Sequence, residues 1–141
     1  MRLDRGKMPD VVQAYDSILR RRDISAFDRL QLVQSLGEMG EAARPALGIL
    51  TEHLKHRDRK TQLAAAEAIL KIDENQIAVV VAFLSDYLQS TGHWDRERAA
   101  EMLGELGRKA KPAAAALRHA AKDTDTKVRV KALEALRKVA E

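Results

Sequence analysis

The 141-residue sequence predicts an all-α fold, an α-solenoid of about four stacked helical hairpins with eight helices. Three observations carry that expectation. The phrase Leu36-Gly37-Glu38-Met39-Gly40 returns as Leu103-Gly104-Glu105-Leu106-Gly107, with looser copies at Ile69-Leu70-Lys71-Ile72-Asp73 and Leu136-Arg137-Lys138-Val139-Ala140. The leading residues Leu36, Ile69, Leu103 and Leu136 stand 33, 34 and 33 residues apart, a period that suits one two-helix unit per repeat. Hydrophobic residues make up 45% of the chain and aromatics only 4%, so the interior must be built from Ala, Leu, Ile and Val, as closely packed helices require.

Residues 1–8 read as an N-terminal tail and residues 9–141 as one repeat domain, with repeats at about 9–40, 41–73, 74–107 and 108–141. The second helix of each repeat is the clearer one. Relative to the leading apolar residue, positions −4 (Leu32, Ala65, Ala99, Ala132), −3 (Val33, Ala66, Ala100, Leu133) and +3 (Met39, Ile72, Leu106, Val139) complete a helical apolar stripe. Eleven residues before it stand Ser25, Asp58 and Asp125, whose side-chain oxygens suit the N-cap, with Gly92 in the equivalent third place. Gly40 and Gly107 suit left-handed C-caps. The first helices align through Pro45-Ala-Leu-Gly-Ile-Leu50, Val79-Val-Val-Ala-Phe-Leu84 and Pro112-Ala-Ala-Ala-Ala-Leu117, with each proline in a first turn, where a missing N–H costs nothing. Helices are expected over 9–22 and 26–39, 42–56 and 59–72, 75–90 and 93–106, and 109–122 and 126–140, the short loops making neighbours antiparallel.

The stretch Asp125-Thr-Lys-Val-Arg129-Val-Lys-Ala-Leu-Glu-Ala-Leu136, with Leu103-Gly-Glu-Leu-Gly107 before Pro112, resembles a HEAT repeat of the short bacterial type. The resemblance covers residues 25–141 well and 9–24 loosely. It implies a right-handed superhelix and a polar ladder between repeats, in which Arg29, Arg96 and Arg129 would take part and Gln62 would be a break. It is specific for fold and says little about function.

Several function classes are disfavoured. The chain has no cysteine. Its longest apolar run, residues 77–84, is too short to span a bilayer, and no apolar stretch follows Arg2, Arg5 and Lys7 as a secretory signal would require. A soluble cytoplasmic protein is the expectation. His53 and His56 are three apart near a helix end, but the third ligand a metal needs is not evident; the plainer reading is two solvated residues favoured by the helix dipole. There is no His-Glu dipeptide of the kind found in HEAT-like di-iron enzymes, no phosphate-binding glycine loop and no supported Ser/His/Asp set. No cofactor, no metal and no catalysis are expected.

Two surfaces remain. The second helices should line one face of the solenoid, with Gln31, Gln34, Ala64, Glu67, Arg98, Glu101, Lys131 and Glu134 on it. Its mixed charge suits a protein or peptide partner, and the expected function is a non-catalytic protein-interaction scaffold. The turns inside the first two hairpins carry Arg20, Arg21, Arg22, Lys55, Arg57, Arg59 and Lys60, a basic edge that offers the alternative of nucleic-acid backbone binding. The mild net charge of +4 permits that without arguing for it. Trp94, the single tryptophan, is either an exposed interface anchor or folded over the neighbouring turn. On the last helix, Val130 and either Leu133 or Val139 should form an apolar patch, covered by a second copy in a homodimer or by a further segment.

Overall fold

The computed structural model describes residues 6–140, so residues 1–5 of the expected tail lie outside the described residues. Every regular element among the described residues is helical, and none is a strand. No described helix is long and apolar enough to cross a membrane. The chain forms two compact units, residues 1–76 and 77–141.

The first unit holds α1 (Met8–Leu19), α2 (Ala26–Glu38), a 3₁₀ segment (Gly40–Ala46), α3 (Leu47–His53), α4 (Arg59–Ile72) and a short 3₁₀ turn (Glu74–Gln76). Helix α2 lies along α4, α3 packs on α4, and α1 packs on the 3₁₀ segment. Leu36, Leu50, Ile69 and Ile72 fill the interior, with Ala65 and Ala66 letting the helix backbones approach. The second unit holds α5 (Ile77–Tyr87), α6 (His93–Leu106), a 3₁₀ segment (Gly107–Ala113), α7 (Ala114–Ala120) and α8 (Thr126–Ala140). Its packing has the same plan: α6 along α8, α7 on α8, α5 on the 3₁₀ segment, around Leu84, Leu103, Leu117 and Val128.

The N-caps follow the sequence. Ser25 accepts the N–H of Asp28 at 3.1 Å, Asp58 that of Thr61 at 3.3 Å and Asp125 that of Val128 at 3.1 Å, while Gly92 caps without a side chain. Gly40 and Gly107 have φ of +60° and +59°, positive values that favour glycine where α2 and α6 end; at Gly107 ψ is −136°, so it does not adopt the left-handed helical cap the sequence suggests. Two further glycines, Gly37 and Gly104, serve closeness instead. A Cβ on Gly37 would lie 3.0 Å from the Ala68 Cα, and one on Gly104 would lie 3.1 Å from that of Ala135. These glycines let α2 meet α4 and α6 meet α8 almost backbone to backbone.

The first helices depart from expectation. In place of single α-helices over 42–56, 75–90 and 109–122, the chain makes a 3₁₀ turn and then a shorter α-helix. Pro45 and Pro112 sit inside the 3₁₀ segments, not in an α-helical first turn. The third such turn, Glu74–Gln76, contains no proline, and α1 starts at Met8 directly before Pro9, so the proline ring alone does not account for the 3₁₀ turns. Leu133 and Leu136 also differ from their stripe-mates: Leu133 is 56% exposed and Leu136 half-buried. Val130 is exposed with Leu133, whereas Val139 is buried.

Candidate functional site

One side chain, seven residues before each leading apolar residue, performs the same task in all four repeats. Arg29 donates to the carbonyls of Leu19 (3.5 Å) and Ile24 (3.4 Å), and Gln62 to that of Leu54 (2.9 Å). Arg96 donates to the carbonyls of Ser90 (3.0 Å) and Thr91 (3.1 Å), and Arg129 to those of Asp123 (2.8 Å) and Thr124 (3.0 Å). These are the carbonyls at and just beyond the end of the preceding helix, which it cannot satisfy itself. Each of these side chains thus caps the turn of its own hairpin, Gln62 as well as the three arginines. Asp58 and Asp125 are N-caps, not ladder partners.

The two units part company at what lies beside that arginine. In the second unit Asp123 takes two bonds from Arg96, at 2.8 and 3.0 Å, and also the N–H of Asp125 at 2.9 Å. Those Arg96 bonds hold its carboxyl below the usual carboxylate range. The residue at the matching place in the first unit, 67 positions earlier, is His56. Its Nδ1 accepts the N–H of Asp58 at 3.0 Å, as Asp123 accepts that of Asp125, which leaves the ring proton on Nε2.

Arg29 is 8% exposed, and no carboxylate lies within ion-pair distance of it among the described residues. Its remaining neighbour is His53, whose Nε2 accepts from the guanidinium at 3.3 Å while its Nδ1–H donates to the Ile49 carbonyl at 2.7 Å. That network assigns a neutral His53. Burial, and then the charge of Arg29, press the ring below the ordinary histidine value against the opposing pull of the Ile49 carbonyl. His56 stacks on His53 with centroids 5.6 Å apart and planes 4° from parallel; burial and Arg29 lower its value too. The expectation of two solvated histidines fails for His53, which is buried because its ring fills the space between α3 and Arg29. Both Nδ1 atoms are engaged, and among the described residues no three metal-binding side chains group together.

Over this floor opens a cleft of about 540 Å³, lined by Arg20, Arg21, Arg22, Lys55 and Arg57 as well as Arg29, His53 and His56. Glu52 is the one carboxylate among its lining residues. Arg20 pairs with Asp16 at 2.9 Å and Arg21 with Asp23 at 2.7 Å, exposed pairs that water weakens. Of the basic residues read from the sequence, five meet here; Arg59 and Lys60 do not line the cleft. Arg29, His53 and His56 were missed as members. The signal was present: a register of 67 residues sets His56 against Asp123.

The second-helix face is quieter. Gln31, Gln34 and Glu134 are exposed, Glu67, Arg98, Glu101 and Lys131 half-buried, and Ala64 is buried against expectation because α2 and α4 approach so closely. Arg98 pairs with Glu101 at 3.2 Å and with Glu105 at 3.8 Å, and Lys131 with Glu134 at 3.7 Å, so on the second helices of the second unit these charges are matched internally. Gln34 and Glu67 share a shallow groove of about 220 Å³, whereas Gln31 lines a separate hollow beside Ile18 and Asp28. Trp94 is 65% exposed, with the Lys127 ammonium 5.0 Å from its ring centroid and His93 beside it.

No protein-family model matches the chain, and no curated protein matches it. Among solved structures, the chain is similar to the crystal structure of an engineered protein from the Northeast Structural Genomics Consortium. The TM-score is 0.64 at 19% identity, over 95% of this chain and 62% of the other. At that identity the likeness concerns the helical fold alone.

Proposed function

We propose that the chain is a non-catalytic, cytoplasmic protein-binding module of HEAT-like hairpins, wound as the right-handed solenoid that the sequence suggests. Its partner is a protein that presents an acidic segment to the basic cleft of the first unit. The observation that carries this reading is Arg29: a buried guanidinium with no carboxylate partner, beneath five further cationic side chains and a single glutamate. Burial strengthens the pull on an anion, because water screens the charge poorly there. The second-helix face is the weaker docking surface, because the charges on its second-unit helices are matched internally.

Nucleic-acid backbone binding through the same cations is the second reading. It is less favoured because the matching cleft of the second unit carries an ion pair, Arg96 with Asp123, where a phosphate would have to sit.

Binding of a labelled acidic peptide by the intact chain tests the first reading. Charge reversal at Arg22 and Arg57 together, both exposed, should weaken it at least about tenfold. Unchanged affinity in that variant contradicts the assignment.

A further inference from the structure

We propose that the cleft of the first unit seats one phosphoryl group of a phosphorylated acidic segment, which supplies beside Arg29 the negative charge that Asp123 supplies beside Arg96. This rests on the reading of the cleft as an acidic-segment site and names the group that segment must carry.

Each unit buries an arginine against the turn of its first hairpin. The second unit supplies that arginine with an anion of its own, while the first unit puts a neutral imidazole there, its Nδ1 bonded to the backbone and its proton left on Nε2. A missing internal anion next to a buried guanidinium is a site for an external one. The surrounding charge sets which kind. Arg20, Arg21, Arg22 and Arg57 line the cleft of the first unit; at the matching positions the second unit has Tyr87, Leu88, Gln89 and Thr124.

One carboxylate, with a single charge and two oxygens, matches the charge of Arg96 in the second unit. Arg20 and Arg21 are paired with Asp16 and Asp23, but Arg22, Arg29, Lys55 and Arg57 together still exceed what one carboxylate can match. A phosphoryl group carries close to two negative charges and three acceptor oxygens. It can take the guanidinium fork of Arg29 and the Nε2–H of His56 on one side, and still face Lys55 and Arg57 on the other. Glu52 disfavours a second acidic group at its own side of the rim, which limits the cleft to one phosphoryl and its neighbours. A nucleic-acid strand needs several such places in succession, and the second unit's matching place is already filled by Asp123.

The test uses the full chain and two fluorescein-labelled peptides, a serine flanked by glutamates and the same peptide with phosphoserine. A mixed-sequence single strand of DNA of about 20 nucleotides is the third probe. The phosphoserine peptide should bind at least about tenfold more tightly than the serine one, and inorganic phosphate should compete with it. H56D supplies the carboxylate that the second unit has; it should abolish the preference while the helical circular dichroism stays unchanged. Should H56D not fold, R57E gives the same readout from the exposed rim. K122A, in the matching cleft of the second unit, should leave both affinities as they are. Equal binding of the two peptides, lost together in the variant reversed at Arg22 and Arg57, overturns the phosphoryl assignment and leaves the acidic-segment reading standing. Binding of DNA alone, falling steeply between about 50 and about 200 mM salt, overturns both in favour of backbone binding. Binding of none of the three probes overturns both as well.

Discussion

Arg96 and Asp123, 27 residues apart, are joined by two charge-assisted hydrogen bonds in a setting where each side chain keeps less than a fifth of its exposure. The pair ties the turn of one hairpin to the turn of the next within the second unit. Arg29, at the matching place in the first unit, has His53 and two carbonyls for company instead. The same backbone plan thus makes a closed ion pair in one unit and an open cationic cleft in the other.

Removing the carboxylate tests the closed pair. Asp123→Ala leaves Arg96 largely buried without its counter-charge and frees the N–H of Asp125 that the carboxylate accepts. The expected loss is about 2 kcal/mol, between an exposed pair and a fully buried one. Urea denaturation measures it, and a loss below about 0.5 kcal/mol would place the pair among inert surface contacts.

The histidine floor gives a pH dependence. His53 is held neutral by burial and by the charges of Arg29 and Arg20, against the opposing effects of the Ile49 carbonyl and Glu52. A histidine whose folded value lies below its unfolded value of about 6.5 binds its proton more readily in the unfolded chain. Its contribution to stability is therefore complete above about pH 6.5 and is lost as the pH falls toward the folded value. Denaturation midpoints should decline between pH 7 and pH 5. His53→Gln should flatten that decline, with the remainder, of the same sign, due to His56. A decline identical in the variant would mean that other groups cause it.

Glycines in this chain should respond in opposite directions to alanine. Gly48, in α3, has nothing within 4 Å of an added Cβ. Gly48→Ala should stabilise by about 0.5–1 kcal/mol through helix propensity. Gly37→Ala gains the same propensity but pushes its Cβ against the backbone of Ala68, where overpacking costs about 1–3 kcal/mol. It should therefore lower the thermal midpoint, and a rise would show that α2 and α4 part without strain.

The last helix offers a contrast one turn long. Val128 is fully buried and Leu133 is 56% exposed. Leu133→Glu should change folding stability by less than about 0.5 kcal/mol, as exposed substitutions do. Val128→Glu buries a carboxylate among apolar side chains and should cost more than about 3 kcal/mol. Similar losses from both, by chemical denaturation, would mean that Leu133 is covered.

Much of this architecture was legible because it is periodic. The N-caps Ser25, Asp58 and Asp125 and the positive-φ Gly40 and Gly107 are local signals, set by a few neighbouring backbone groups. The 3₁₀ segments were not read, since a proline is compatible with either geometry until its neighbours are packed. The close approach at Gly37 and Gly104 was hidden because it depends on a partner helix some thirty residues away. At the site, the sequence gathered Arg20, Arg21, Arg22, Lys55 and Arg57 from their charge, but it placed His53 in solvent. Helix-end position says nothing of an arginine that arrives from the preceding helix. The resemblance gives Arg29 a place in a polar ladder, and in the structure it caps a turn; its lack of a carboxylate emerges only beside Arg96.

The most direct measurement of the central claim is the location of anion binding, by side-chain and backbone NMR of the intact chain titrated with inorganic phosphate and with the phosphoserine peptide. The account predicts that signals of Arg29, His53, His56 and Arg57 shift together and saturably, while those of Arg96 and Asp123 in the second unit stay in place. Shifts confined to Gln34, Glu67, Arg98 and Glu101 on the second-helix face, or equal shifts at Arg29 and Arg96, would contradict it.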